Sequence, residues 1–281
     1  MDELILEQAQ LEKFCQWLAE AERSALTIEK YLRDLKTFKA FLGTDAEVTR
    51  QRVIDYKQFL TVRYAPASVN SMLAAMNAFF SFAGYPQFRV KPLRLQRRMF
   101  SEPEKELTRE EYIRLLQTAR NQKNERLYLL METICATGIR VSEVRFITVE
   151  SLRTGRVDVC CKGKRRTVFL VRKLRKELVS YVKRNGIKTG CVFVTRFGRA
   201  VSRHHIWADM KALCRFARVD PAKVFPHNLR HLFARTFYAM EKDLGRLADL
   251  LGHSNINTTR IYTRECGREH ERLMARMCLV I

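Results

Sequence analysis

Six side chains could do chemistry together: Arg140, Lys162, His227, Arg230, His253 and Tyr262. Two guanidiniums can grip a phosphodiester through paired, charge-assisted hydrogen bonds. Histidines and a lysine can move protons around it. A phenol can attack it, given help to ionise, because its ordinary pKa is about 10. Each residue alone is unremarkable, since an arginine in a helix is usually a surface salt-bridge partner and a tyrosine a half-buried core residue. Their spacing makes them a set. His227 and Arg230 stand three apart on a predicted helix and so face the same side. Gly252 closes a helix ending in Leu250 and Leu251, which puts His253 just past a helix C-terminus. Thr258 is placed to cap a short helix presenting Tyr262.

The rest of the chain must position these groups on a large anion. Its 281 residues carry 52 Lys and Arg against 30 Asp and Glu, a formal net charge of +22. The first hundred residues hold 15 basic and 11 acidic side chains, and the remainder holds 37 and 19. An excess of this size implies a polyanionic partner. No amphipathic anchor accompanies it to favour a membrane surface, and no stretch approaches the roughly 20 apolar residues of a membrane span. The acidic N-terminus lacks a signal pattern, so a cytoplasmic protein is expected. The eight cysteines make no C-x-x-C pair and read as reduced, buried thiols. No metal is expected: zinc-ligand spacing is missing, and adjacent His204 and His205 would point to different sides of a helix.

Hydrophobic periodicity gives a small four-helix domain first. One amphipathic segment lies near residues 5–20. A second carries Ile28, Tyr31, Leu32, Leu35, Phe38 and Leu42, with Thr27 as start cap and Gly43 as stop. A third holds Val53, Tyr56, Phe59 and Leu60. The fourth runs from Ser68, as N-cap, through Met72, Met76, Phe79 and Phe80 to Gly84 and Pro86; its Met and Phe stripes are core. This domain is placed at 1–86. Residues 87–106 read as a basic linker, with Lys91, Arg94, Arg97 and Arg98 set to lie along a phosphate backbone. A second domain, 107–281, opens with a capping box at Thr108 and Glu111. A helix follows over 125–137 and is broken by Gly138. Alternation at Val157, Val159 and Thr167 to Val171 makes a β-hairpin with its tip at Lys162 to Arg165. Another strand is expected at 191–195, and helices resume after Ser202.

With these motifs in order, the sequence resembles the tyrosine recombinase (phage integrase) family, most closely its two-domain Xer-like members. The resemblance rests on Thr137-Gly138-Ile139-Arg140-Val141-Ser142-Glu143-Val144, Lys162 in the hairpin, His227-Asn228-Leu229-Arg230-His231, Leu251-Gly252-His253-Ser254 and Tyr262. Spacings of 23 residues from Arg230 to His253 and nine from there to Tyr262 fit as well. Thr27, Tyr31, Leu35, Phe38 and Phe41 extend the likeness to the N-terminal helices. The fold this implies is mainly α with a small antiparallel β-sheet: a helical, SAM-like core-binding domain plus an α+β catalytic domain.

By the same resemblance Tyr262 is the nucleophile and His227 the base that takes its proton. Arg140 and Arg230 hold the scissile phosphate, and His253 donates to a non-bridging oxygen. Lys162 protonates the departing 5′-oxygen. Lys164 is its rival; Lys162 is favoured because it follows directly on the alternating strand. Glu143 is read as orienting His227, while His231 and Arg235 are read as structural or phosphate-neighbouring. Lys164 and Arg165 are further DNA-contact candidates. The implied reaction is site-specific strand exchange on double-stranded DNA, through a covalent 3′-phosphotyrosine and a Holliday junction. Four protomers take part, alone or with a paralogue or accessory factor. Neither metal nor ATP is required. The tail after Tyr262 is expected to dock on a neighbouring protomer. Two alternatives stay open: a non-catalytic DNA-binding protein on this scaffold, and a type IB topoisomerase-like nicking-closing enzyme.

Overall fold

The structure, a computed structural model, describes residues 4–44, 46–95, 103–161, 164–263 and 275–277. It separates into two compact units, Met1–Arg97 and Arg98–Ile281. In the first, a short strand β1 (Leu4–Ile5) precedes α1 (Gln8–Glu20) and α2 (Ala25–Leu42). Strand β2 (Glu47–Val48) pairs antiparallel with β1 and leads into α3 (Arg50–Arg63) and α4 (Pro66–Phe82). Phe14, Phe38, Tyr56, Met76, Phe79 and Phe80 are fully buried together. Phe14 meets Phe79 edge-on at 5.4 Å, the geometry favoured by ring quadrupoles.

Two expected helix starts shift. Ser24, not Thr27, caps α2: its hydroxyl accepts from the Thr27 N–H, so the serine serves the third residue of the first turn. In α4 the start is Pro66 rather than Ser68, because proline's fixed φ already suits a first helical position. Beyond α4 the chain folds back on it. Asn77 pairs with both polar groups of the Val90 backbone, and Asn70 donates to Leu93 O and accepts from its N–H.

The second unit opens with α5 (Arg109–Asn121), whose capping box joins Thr108 and Glu111 reciprocally. Helix α6 (Glu125–Thr137) ends at Gly138 with φ of 64°, a left-handed turn that only glycine takes without strain. A 3-10 turn over Val141–Phe146 and the short α7 (Val149–Thr154) lead to the hairpin of β3 (Arg156–Cys161) and β4 (Lys164–Phe169). The ladder continues to the pairs Cys160–Arg165 and Cys161–Lys164. Lys164 and Arg165 therefore belong to the strand rather than to the tip, because a two-residue connection suffices to turn a hairpin.

Helix α8 (Arg172–Arg184) has no counterpart in the sequence reading, although Leu174, Leu178, Tyr181 and Val182 mark its buried face at helical spacing. The expected strand over 191–195 reduces to isolated bridges, Thr148 to Cys191 and Val194 to Ala200. Then come α9 (Arg203–Ala217), α10 (Pro226–Glu241), α11 (Leu244–Leu251) and α12 (Ile256–Thr259), with a 3-10 turn over Arg260–Thr263. Asn255, not Thr258, caps α12. A single apolar core from Leu107 to Leu229 unites α5 to α10 with the hairpin; each fully buried Leu or Val in it is worth roughly 1.5–3 kcal/mol.

The fold is thus mainly α with small antiparallel sheets, as expected. No helix among the described residues is long and apolar enough to cross a membrane. Cys15, Cys135, Cys160, Cys191 and Cys214 are free thiols, of which Cys160 is exposed and only Cys214 is buried.

Gly138 is the tightest joint. A Cβ there would sit 2.5 Å from Phe233 Cδ1 and 3.0 Å from Leu251 Cδ2. Gly138→Ala combines left-handed backbone strain with overpacking, so it should destabilise this unit by about 2–4 kcal/mol. An unchanged urea midpoint in the alanine variant would refute that.

Candidate active site

Two helix ends converge. Helix α6 stops at Gly138 and α11 at Gly252, each in the left-handed conformation. The last carbonyls of a helix have no intrahelical donors and carry partial negative charge. Here arginines supply the donors. Arg230 of α10, 1% exposed, donates from Nη1 to Gly138 O at 2.6 Å and from Nη2 to Leu251 O at 2.8 Å. Arg140 follows the α6 cap, and its Nη2 lies 3.5 Å from Gly252 O. Arg166 of β4 donates from Nη1 to Leu250 O at 2.5 Å. Three successive carbonyls at the end of α11 thus each receive a different arginine.

Glu143 ties two of them together. Its carboxylate, 2% exposed, accepts from Arg140 Nη1 at 2.9 Å and from Arg166 Nη2 at 2.5 Å. It also accepts from the Arg140 main-chain N–H at 3.0 Å. Burial pushes this carboxyl up, but the Arg140 N–H bond and the Arg166 charge outweigh burial and hold it below the usual range. The expected contact to His227 is absent, because a buried carboxylate requires full compensation of its charge and the two arginines provide it.

Arg140 itself remains 40% exposed, leaving its guanidinium open to an incoming anion. A cleft of about 800 Å³ lies in front of it, lined by Arg140, Arg165, Arg166, Gly252, His253 and Ser254. Burial, and next the Arg140 charge, lower Arg230 to about 10.

His253 sits where the α11 cap places it. Its Nε2 lies 2.9 Å from Arg230 Nη2, and its Nδ1 2.9 Å from Thr259 Oγ1. Arginine can only donate, so Nε2 accepts and the ring proton is on Nδ1, donated to the buried Thr259. Burial, then the charges of Arg230 and Arg140, lower His253 to about 4. Tyr262, 4% exposed, packs with Ala234, Leu247 and Leu251. Its ring stacks on His253 at 6.0 Å and meets the His231 ring at 4.6 Å and 80°. Tyr262 lies close enough to Arg230 to offset part of the burial effect on that guanidinium. His227 lies 4.5 Å from His231, ring to ring; partial burial, then Arg230 and Arg140, lower its pKa.

The structure therefore brings together Arg140, His227, Arg230, His253 and Tyr262. Lys162, Arg97 and Arg98 lie outside the described residues, as does most of the tail after Tyr262. Lys91 and Arg94 are exposed in the first unit. Arg235 is taken up by Glu106 and by Leu107 O. Two residues of the site were missed, Arg166 and Thr259. A signal existed for the first: Arg166 shares an inward face with buried Val168 of β4 and with Leu170 just beyond it, and a charge on an apolar face needs a partner.

Residues 105–267 match the phage integrase family, and residues 11–84 match its N-terminal SAM-like domain. The chain belongs to the phage integrase family. A tyrosine recombinase XerA of Pyrococcus furiosus is 28% identical over the whole of this chain and 98% of its own length. The crystal structure of a XerH site-specific recombinase in its post-cleavage complex with palindromic difH superposes with a TM-score of 0.73 at 22% identity, over 96% of this chain and 84% of that one. A lambda integrase tetramer bound to a Holliday junction gives 0.70 at 18%, over 90% and 76%. The protein is a tyrosine recombinase of the Xer type.

In the recombinase, His231 and His253 are held to about 4 against an ordinary 6.5, in both cases chiefly by burial. Below pH 6.5 an unfolded chain takes up protons that these folded rings refuse, so stability is level above that point and falls as pH drops towards 4. The urea midpoint should be lower at about pH 5 than at neutrality, and the drop should shrink in His231→Asn. An undiminished drop in that variant would remove His231 from the account.

Proposed function

We propose that this recombinase cuts and rejoins double-stranded DNA at specific sites through a 3′-phosphotyrosine at Tyr262. One observation carries the reading: the Tyr262 ring is held between those of His231 and His253, next to Arg230 and beside an arginine open to the cleft. Arg140 and Arg230 hold the scissile phosphate and stabilise charge as it spreads over the equatorial oxygens. The Tyr262 oxygen forms the new bond to phosphorus as its proton passes to His227. The bond from phosphorus to the 5′-oxygen breaks, and Lys162 gives that oxygen a proton. A 5′-hydroxyl from the other DNA reverses the sequence. The phosphotyrosine keeps the energy of the broken ester, so the chemistry needs no nucleotide cofactor.

His253 must change to serve the phosphate. Its Nε2 accepts from Arg230 in the free protein, so donating from that atom requires either the other tautomer, with Thr259 then donating to Nδ1, or a second proton. A phosphate anion beside the ring favours that proton, opposing the burial that excludes it.

The assembly in this reading is a homotetramer on two paired sites that exchanges strands through a Holliday junction, in the cytoplasm, with room for a paralogue or accessory factor. We assign DNA grip to residues 1–86 and catalysis to 107–281. The basic segment 87–106, with Lys91, Arg94, Arg97 and Arg98, follows the phosphate backbone, aided by Lys164 and Arg165 of the hairpin. Phosphate contacts of this kind make binding weaken steeply with salt.

A nicked suicide substrate tests the reading. Wild-type protein should become joined to DNA 3′ ends. Tyr262→Phe should bind with similar affinity and form no adduct, and an adduct persisting there would refute the nucleophile. Lys162→Ala should lose cleavage on ordinary DNA and regain it on a 5′-thio leaving group, which needs no proton. Rescue of Lys164→Ala instead would move the acid to the strand.

A further inference from the structure

We infer that Arg166 is a positioning residue for strand cleavage: it aims Arg140 at the phosphate through Glu143 and fixes the β3–β4 hairpin to the end of α11 beside His253. This rests on the reading of Arg140 and Tyr262 just given. Arg166 stands opposite Val159 in the hairpin ladder, on the strand that follows Lys162 and Gly163. Its side chain is 11% exposed. One terminal nitrogen holds Glu143 Oε2, and the other holds Leu250 O. Its Nε–H is buried and has no hydrogen-bond partner among the described residues.

A buried guanidinium with an idle donor is costly, and a core residue of similar volume would fill the space without that cost. Glu143 is already bonded to Arg140 through side chain and main chain, so Arg166 is not needed merely to pair one arginine. Its effect is directional. Arg140 alone reaches both carboxylate oxygens; Arg166 adds a second donor at Oε2 from the hairpin, which holds Glu143, and through it Arg140, in one orientation towards the cleft. The fork of Arg166 also spans two elements, which a lysine's single ammonium cannot do with the same geometry. Gly252 completes the fit: a Cβ there would run into Arg166 Cδ and lie 2.9 Å from its Nε. The residue before His253 must therefore lack a side chain for Arg166 to pass.

The test measures single-turnover covalent adduct formation on the nicked substrate, half-site binding and thermal unfolding, for Arg166→Lys and Arg166→Met. Wild type and Tyr262→Phe run alongside, so that failure of the active-site reading shows separately as an adduct in Tyr262→Phe. Both Arg166 variants should bind DNA like wild type and form adduct about 10- to 100-fold more slowly, the scale seen when residues supporting a reactive site are removed. If the methionine variant fails to fold, the lysine variant decides alone. In a Glu143→Gln background the further loss from Arg166→Lys should be small, because both act through one carboxylate. The loss should also persist on the 5′-thio substrate, since the phosphate clamp is damaged rather than the acid. Wild-type cleavage rates in Arg166→Lys, fully multiplicative losses in the double variant, or rescue by the thio leaving group would each overturn the assignment.

Discussion

The catalytic unit depends on the carbonyl end of one short helix. Eight residues of α11 finish in carbonyls at Leu250 and Leu251, and Gly252 adds the next. Arg166, Arg230 and Arg140 come from a strand, a helix and a loop far apart in sequence, yet each donates to one of these three oxygens. Guanidiniums packed this closely repel one another. The partial negative charge of the helix end and the single carboxylate of Glu143 make their meeting possible. The same helix end fixes the start of the loop bearing His253, so the cations and the histidine are set by one element.

Around this centre Tyr262 is treated as core. Its ring is nearly closed to solvent among Ala234, Leu247 and Leu251, which limits its freedom before any substrate arrives. Positioning of this sort lowers the entropic part of a barrier. The histidines beside it, His231 and His253, are kept neutral first by burial and then by neighbouring groups, arginines among them.

Much of this was legible in the sequence because it is local. Apolar periodicity marked α2, α4 and α6, the Thr108 and Glu111 pair announced α5, and the glycines at 138 and 252 announced two left-handed helix ends. The spacing of Arg140, Arg230, His253 and Tyr262 was enough to group them. What escaped depends on tertiary choices. Ser24 and Thr27 are both competent caps and are hydrogen-bonded to each other, so composition alone does not say which starts the helix. Helix α8 has Val171 at its N-cap position and so no capping side chain, which hides its start. Glu143 was assigned to a histidine because it lies one turn from Arg140; its second partner, Arg166, is 23 residues on and reaches it only once the hairpin folds. Thr259 gives no pattern at all, since its role as acceptor follows from the tautomer of His253.

The ratio of cations to anions at the end of α11 also makes the resting site incomplete. Arg140 and Arg166 share the carboxylate of Glu143, Arg230 is held by main-chain carbonyls, and the surrounding imidazoles add no negative charge. A tetrahedral oxyanion between Arg140 and Arg230 would relieve that imbalance wherever it came from. Inorganic phosphate or sulfate bound there would raise the melting temperature by favouring the folded form and, on the function proposed above, would slow the reaction by occupying the same place, so that the choice of buffer anion would become a variable of the enzyme itself.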